Sequence, residues 1–173
     1  MLFANETYST LNAATDKVVL LPLGAVEQHG PHLATGTDTH IVTKIAEAAE
    51  QQRINDIILA PTLAYGSSHH HISFGGTISI SADLYTQVLR EMITSLIQTG
   101  FRKIILLNGH GGNITPARQA LALLSKDLDA TVQSNIALAT YWELAGTAFA
   151  GDNPMESPAL SHACEYETSL MLH

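Results

Sequence analysis

The stretch from Gly24 to His40, GAVEQHGPHLATGTDTH, concentrates groups that bind metal ions or move protons. It contains Glu27, His29 and Asp38, although only 14% of the residues in the chain are charged. In extended backbone the side chains at i and i+2 point the same way, so Glu27 and His29 could face one ion. Asp38 is close enough in the chain to fold back onto them. Alternatively, these are polar loop residues that backbone groups satisfy.

A second cluster, NGHGGN, surrounds His110 with Gly109, Gly111 and Gly112. Glycines permit tight turns with positive φ and a close approach of the backbone to a ligand. A glycine-rich turn of this kind can also bind phosphate, but the chain lacks the GxGxxG and GK[ST] patterns here. We therefore expect the cluster to place the imidazole at the same edge of the sheet as Glu27.

Two further clusters are more ambiguous. SHACEYETS carries His162, Glu165 and Glu167, of which His162 and Glu165 would share a helix face at i, i+3. Glu167 would then point elsewhere unless the segment begins in extended form, and the alternative is a solvated helix face. In SSHHHISFGGT the three consecutive histidines cannot all bind one ion in regular structure. One or two could line a cleft, but the run alone is more typical of a solvated loop.

Together, these residues predict a metal centre built from carboxylates and imidazoles. Without thiolates, such a set suits Zn²⁺, Mn²⁺ or Fe²⁺ rather than a cysteine-rich structural zinc site. Three carboxylates and two imidazoles suit two ions that share Asp38. Paired ions about 3.5–4 Å apart bring the pKa of a bridging water near 7 and polarise a carbonyl. The chemistry expected is hydrolysis of an amide or related bond, with His162 or Glu165 passing the proton to the leaving nitrogen.

The elements that must position these groups alternate along the chain. Continuous apolar runs predict buried strands over 17–23, 56–61, 102–108 and 131–140. Helices are expected over 37–52, 81–100 and 115–128, with the start of another in 162–173 and an irregular loop over 145–158. In the helix over 81–100 the apolar stripe is expected to comprise Leu84, Val88, Leu89, Met92, Ile93 and Leu96.

This alternation predicts an α/β fold, a three-layer α/β/α sandwich with a mainly parallel central sheet. Ligands of such folds bind beyond the carboxyl ends of the strands, which is where Glu27 and His110 follow theirs. The length suits one domain over residues 1–173.

Composition excludes several classes of partner and site. The net charge of −8, from 16 acidic and 8 basic residues, argues against nucleic acid and anionic membranes. No apolar run reaches the ~18 residues of a membrane helix, and the N-terminus has no signal-peptide pattern. One cysteine, Cys164, cannot form an internal disulfide. A reducing, cytoplasmic location is the simplest interpretation.

Four stretches in order, LPLGAVEQHGPHLATGTD, YGSSHHHISFGGT, LLNGHGGN and HACEYETS, resemble the creatininase (creatinine amidohydrolase) family and span nearly the whole chain. The resemblance implies an α/β fold with two metal ions at the carboxyl edge of the sheet, amide or cyclic-amide hydrolysis, and commonly a hexamer built as a trimer of dimers. Glu27, His29, Asp38 and His110 match family ligand positions, with Asp38 as the bridge. His162 matches the catalytic histidine.

The chain departs from creatininase proper at several positions. There a ligand Glu follows two residues after the NGH histidine, and Gly112 stands here. Glu167 is the first choice for the fifth ligand and Glu165 the second. Ser161 replaces the Glu before the catalytic histidine. In the family's EHxxFPGT loop, His70 replaces the Glu, and Gly75 the Pro.

We therefore expect a metal-dependent hydrolase of a C–N bond in an amide, cyclic amide or formamide. It resembles NGHGGN members that hydrolyse formamides or mature peptide-derived cofactors. One alternative is a creatininase acting on creatinine. The other is an inactive, oligomeric metal-binding protein, because family chains continue beyond the ETS segment and this one, a shortened member or a truncated product, stops at His173. Trp142 is expected either in an aromatic wall for the substrate or in the core.

Overall fold

The computed structural model describes residues 1–128, 132–146, 154–157 and 159–173. The strands are β1 (Val18–Leu23), β2 (Ile57–Leu59), β3 (Lys103–Asn108) and β4 (Asn135–Thr140). The α-helices are α1 (Tyr8–Asn12), α2 (Thr37–Gln52), α3 (Ala82–Gln98), α4 (Ile114–Asp127), α5 (Tyr141–Leu144) and α6 (Glu165–Leu172). Among these residues no helix is both long and apolar enough to cross a membrane.

The strands form one parallel sheet in the order β2-β1-β3-β4. From β1 the chain moves outward to β2 and then returns to the other side of β1 as β3. This reversal makes the carboxyl ends of β1 and β3 the topological switch point, where open α/β sheets bind ligands. Leu23 pairs with Asn108 in the register, so the segments that follow the two strands begin side by side.

Side chains of β1 alternate between two hydrophobic cores on opposite faces of the sheet. Val19 and Leu21 pack with residues of α3 and α4, including Leu89 and Leu124. Leu20 packs on the other face with residues of α2. Helices therefore cover both faces, which confirms the three-layer α/β/α sandwich with a parallel sheet.

The helix expected over 37–52 has those bounds in the structure. The stripe expected for α3 is confirmed in part, because Leu89 and Ile93 are buried and Met92 and Leu96 pack against the core. Ser81 caps α3 by accepting a hydrogen bond from the backbone N–H of Leu84. The Leu84 side chain itself is 51% exposed, so its assignment to the core was wrong. The buried stripe follows a four-residue spacing through Tyr85, Leu89, Ile93 and Ile97. The expected stripe did not include Tyr85, where the buried stripe begins.

The C-terminal segment also differs from expectation. The helix α6 begins at Glu165 rather than near His162, because Ala163 adopts a positive φ of 51° and interrupts the segment. His162 consequently lies in the turn before the helix. Of the loop expected over 145–158, residues 147–153 and 158 lie outside the described residues, as does residue 131 of the fourth predicted strand.

The buried hydroxyl of Tyr85 allows the cost of an unsatisfied polar group in this core to be measured. Its ring is fully buried, and its hydroxyl has no hydrogen-bond partner among the described residues. Because an unsatisfied buried hydroxyl costs stability, Tyr85→Phe should raise the free energy of unfolding by about 1 kcal/mol. Denaturant unfolding measures this, with Tyr8→Phe as the control because Tyr8 is exposed. A loss of stability in Tyr85→Phe would mean that the hydroxyl is satisfied in solution.

Candidate metal centre

The candidate site lies at the carboxyl ends of β1 and β3 and at the first turn of α2. Glu27 and His29 follow β1, His110 follows β3, and Asp38 is the second residue of α2. The backbone N–H of Glu27 donates to the carbonyl of Thr35, which fixes the loop between β1 and α2. A carboxylate in the first turn of a helix is also favoured by the helix dipole. The sheet topology thus brings together the residues that the sequence singled out.

One half of the cluster is centred on His110. Its Nδ1 is 2.9 Å from Oδ2 of Asp38 and 3.3 Å from Oε1 of Glu27. The three side chains come from three segments of the chain and are almost completely buried.

The other half is centred on His29. Its Nε2 is 3.1 Å from Oδ1 of Asp38 and 3.7 Å from Oε1 of Glu167. The second oxygen of Glu167 accepts a hydrogen bond from the backbone N–H of Cys164, which holds the carboxylate at the start of α6. Asp38 therefore faces a different imidazole with each of its two oxygens.

The outer nitrogens of both imidazoles contact backbone carbonyls. Nε2 of His110 is 3.1 Å from the carbonyl oxygen of Ser67, and Nδ1 of His29 is 3.2 Å from that of Glu27. A carbonyl can only accept, so each imidazole donates its outer N–H to it. The nitrogen that faces the carboxylates can then offer a lone pair to a cation once it gives up its proton, which is the arrangement that metal-binding histidines use.

The pKa values of the buried carboxyl and imidazole groups in the cluster are shifted by their burial and by their contacts with one another. Burial is the strongest single influence and disfavours the charged imidazoles, but the hydrogen bonds and charges of the neighbouring carboxylates together outweigh it and raise the pKa of His29 to about 10 and that of His110 to about 9. Burial likewise opposes ionisation of Asp38 and Glu27, and the neighbouring imidazoles outweigh it, so that the pKa of each carboxyl is lowered. The carboxylates are therefore ionised at neutral pH, and the protonated imidazoles balance their charge until a cation takes the place of those protons.

The donor set fits divalent cations. Oε2 of Glu27 and Oδ2 of Asp38 are buried and form no hydrogen bond of normal geometry among the described residues. Buried carboxylate oxygens without such partners are costly unless a cation or proton compensates them. Among the described residues, Glu27, His29 and Asp38 also form one of three groups with spacings that could hold a metal ion.

His162 and Glu165 have different surroundings. Nδ1 of His162 lies 3.4 Å from Oε1 of Glu27, at the edge of the cluster. The Glu165 carboxylate instead accepts a hydrogen bond from the backbone N–H of Ser157. Because Glu165 starts α6 and Glu167 follows two residues later, their side chains leave the helix in different directions. Of the two, the structure brings Glu167 to the cluster.

The glycines of NGHGGN serve close packing rather than unusual backbone torsions. None of them has a positive φ, so that part of the expectation was wrong. A Cβ on Gly109 would lie 2.6 Å from Cβ of Val42, and one on Gly112 would lie 2.1 Å from the carbonyl oxygen of Ser67. By contrast, a Cβ on Gly111 would meet nothing within 4 Å. The close approach of the Ser67 loop to Gly112 leaves no room there for the carboxylate of creatininase proper.

A cavity of about 270 Å³ opens beside the cluster. Trp142 and Leu160 form its apolar side, and Trp142 also packs against the core around α2. Its packing against the core is thus observed, whereas a role in an aromatic wall for the substrate stays a prediction.

Three residues beside this cavity were missed or discounted. His70 and His71 line it, whereas the histidine run was interpreted as a solvated loop. Gln28 contacts both His71 and His162 through its side-chain amide. The position of Gln28 between Glu27 and His29 was a signal in the sequence that could have identified it. However, side chains alternate along an extended segment, so that of Gln28 is expected to point away from these two residues.

Comparison with known proteins identifies the family. The family model described as "Creatininase: Creatinine amidohydrolase" matches residues 4–173. The "Mycofactocin precursor peptide peptidase" of Mycobacterium ulcerans (strain Agy99) is 37% identical over 163 residues, covering 90% of this chain. The chain spans only 57% of that relative's length. The "Creatinine amidohydrolase" of Pseudomonas putida is 29% identical over 184 residues, covering 96% of this chain and 68% of that protein.

Solved structures agree with this relationship. A structure described as "Creatininase Mn" superposes with a TM-score of 0.74 at 25% sequence identity, covering 99% of this chain and 71% of that one. The order of the strands, the ligand-type cluster at the switch point and the match over residues 4–173 lead to one conclusion. The chain belongs to the creatininase (creatinine amidohydrolase) family.

Proposed function

We propose that this chain is a metal-dependent hydrolase of a C–N bond in an amide, cyclic amide or formamide. Glu27, His110 and Asp38 would hold one divalent cation, and His29, Asp38 and Glu167 a second. The observation that carries the proposal is that the two oxygens of Asp38 face two different imidazoles, at 3.1 and 2.9 Å. A shared carboxylate with one imidazole on each side is the arrangement expected for paired cations. Zn²⁺, Mn²⁺ and Fe²⁺ suit these oxygen and nitrogen ligands.

When bound, the cations would supply a water that loses its proton near neutral pH and would polarise the substrate carbonyl. The chain's own groups account for the rest of the reaction. Glu27, whose carboxylate is ionised and buried, orients the imidazoles of His110 and His162 around the cavity. His162, with its side chain 34% exposed, can reach a substrate and pass a proton to the leaving nitrogen. Trp142 and Leu160 exclude water from one side of the bond.

The substrate class follows from the size of the cavity and from the relatives. A cavity of about 270 Å³ is near the lower limit for small-ligand sites, so a small amide or one end of a peptide fits it. One relative is named a precursor peptide peptidase and another a creatinine amidohydrolase, which supports an amide bond as the target. A cytoplasmic location, a single domain over 1–173 and a homo-oligomer, a hexamer by family resemblance, stay predictions.

Hydrolysis of creatinine itself is the second candidate within the family. Ser161 replaces one glutamate of creatininase proper, and Gly112, which has no space for a side chain, replaces another. These differences favour an amide other than creatinine. Incubation with Mn²⁺ or Zn²⁺ and creatinine, followed by an assay for creatine, decides between the two.

The proposal predicts that Zn²⁺ stabilises the wild-type chain and that Glu27→Gln weakens this effect. Zn²⁺ at about 100 times its Kd should raise the free energy of unfolding by about 2.7 kcal/mol. Glu27→Gln removes a charged ligand but keeps the shape, so bound zinc and amide hydrolysis should each fall at least about 10-fold. Elemental analysis, thermal unfolding and a panel of amide and formamide substrates measure these effects.

Asp127→Asn is the matched control, because Asp127 pairs with Arg90 on the surface away from the site. It should retain the zinc content and the rate of the wild type. A wild-type chain that binds zinc but hydrolyses no member of the panel would instead support an inactive metal-binding protein.

A further inference from the structure

Gln28 contacts three polar groups through its side-chain amide. Its Nε2 is 2.9 Å from Nδ1 of His71 and 2.9 Å from Nε2 of His162. Its Oε1 is 3.0 Å from the backbone nitrogen of Gly30. The backbone N–H of Gln28 donates to Oγ1 of Thr77, which fixes the residue from the other side. The proposed function uses neither Gln28 nor His71.

These contacts determine which way the amide points and what it does to the two imidazoles. The backbone N–H of Gly30 can only donate, so the atom facing it must be the carbonyl oxygen of Gln28. The other end is then the NH₂ group, which also can only donate. Nδ1 of His71 and Nε2 of His162 must therefore accept, and each neutral ring carries its proton on the opposite nitrogen.

The opposite nitrogens face the cavity on the side of Glu27. Nδ1 of His162 is 3.4 Å from Oε1 of Glu27, and Nε2 of His71 is 4.0 Å from the same oxygen. The two imidazoles stack with centroids 4.4 Å apart and an interplanar angle of 19°. Both N–H groups consequently point towards the same part of the cavity.

This arrangement is the reverse of that at the proposed metal ligands. His29 and His110 donate their outer N–H to backbone carbonyls and turn the other nitrogen towards the carboxylates, where a cation would take the place of its proton. His71 and His162 accept at the outer nitrogen and turn an N–H inward. Glu27, His71 and His162 have spacings that could hold a metal ion, yet in these tautomers neither imidazole offers that ion a lone pair.

We propose that Gln28 is a positioning residue that holds His71 and His162 in the tautomers with N–H directed into the cavity. The two N–H groups of His71 and His162 then bind hydrogen-bond acceptors of the substrate, its carbonyl oxygen or its leaving nitrogen, and do not bind a third cation. The assignment of the tautomers stands on the contacts alone, whereas their use in catalysis rests on the proposed function.

The test uses Gln28→Glu, which keeps the size of the side chain and the bond from Gly30 but can only accept at its other oxygen. Ring ¹⁵N–¹H correlation spectra of zinc-loaded protein labelled with ¹⁵N-histidine report which nitrogens carry protons, with assignment from His71→Asn and His162→Asn. In the wild type, Nδ1 of His71 and Nε2 of His162 should be unprotonated. In Gln28→Glu both should become protonated. Protonated nitrogens facing Gln28 in the wild type, or identical spectra in the variant, would overturn the proposal.

Two further measurements separate positioning from a merely structural role. Thermal unfolding and zinc content of Gln28→Glu should match the wild type, while kcat for an amide substrate should fall about 100-fold, a typical loss for a misdirected general acid. Gln28→Met, which neither donates nor accepts, should leave each ring in a mixture of tautomers and give an intermediate rate. If the tautomers are as proposed but no amide is hydrolysed, the proposed function fails and the role of Gln28 stands.

Discussion

Asp38→Asn should abolish the binding of both cations and lower amide hydrolysis by more than about 100-fold. Changes to groups that merely orient a ligand already cost about 10–100-fold in affinity or activity, and Asp38 is proposed to be a ligand of both ions. Its two oxygens are 3.1 Å from Nε2 of His29 and 2.9 Å from Nδ1 of His110. An amide in its place offers one neutral oxygen and a donor that repels a cation. Zinc content per chain and kcat/KM for an amide substrate measure the effect.

Asp56→Asn controls for the loss of a carboxylate as such. Asp56 is exposed and pairs only loosely with Arg53, at 3.8 Å, so its variant should keep full zinc content and rate. Circular dichroism establishes that the Asp38→Asn chain is folded. The shared-ligand role would be wrong if folded Asp38→Asn protein retained two zinc ions per chain, or if it lost no more zinc than Glu27→Gln does.

Gly112→Ala should destabilise the chain by about 1–3 kcal/mol, the usual cost of forcing an atom into a packed site. The new Cβ would lie 2.1 Å from the carbonyl oxygen of Ser67 and 2.5 Å from Nε2 of His110. Relief of this overlap requires movement of the backbone around Ser67 or of the imidazole. Since that carbonyl holds His110, bound zinc should also decrease. Denaturant unfolding and elemental analysis measure both effects.

Gly111→Ala is the matched control for this prediction. A Cβ on Gly111 meets nothing within 4 Å, so the substitution should change the free energy of unfolding by no more than about 0.5 kcal/mol. The same comparison tests why the chain departs from creatininase proper at position 112. Equal stability of the two alanine variants would show that the Ser67 loop yields readily, and that Gly112 does not exclude a larger side chain.

Local sequence patterns were sufficient to predict the order of the secondary-structure elements and the edge of the sheet where the candidate site lies. Helix α2 has the bounds that its apolar spacing and flanking residues predict. Parallel strands joined by helices end at one edge of the sheet, so a sequence with acidic and imidazole groups after β1 and β3 predicts that these groups meet. Glu27, His29, Asp38 and His110 do lie together in the structure. Their roles as ligands stay a proposal that the metal measurements test.

The same patterns failed where the outcome depended on packing. Leu84 and Tyr85 are adjacent, and the four-residue spacing that buries Tyr85 is set by the sheet beneath α3 rather than by hydrophobicity alone. The choice between Glu165 and Glu167 depends on where α6 begins. The positive φ of Ala163 shifts that point, and alanine gives no local signal for it.

What the sequence by itself determined is the order of the elements and the kinds of side chain at the ends of β1 and β3, because hydrophobic periodicity is local along the chain and alternating strands and helices favour a parallel sheet. What only the tertiary structure decided is how those side chains are oriented. The contact of Ser67 with Gly112, and of Gln28 with His71 and His162, joins residues that are 43 to 134 positions apart. Such contacts follow from loop paths and close packing, which no local pattern encodes.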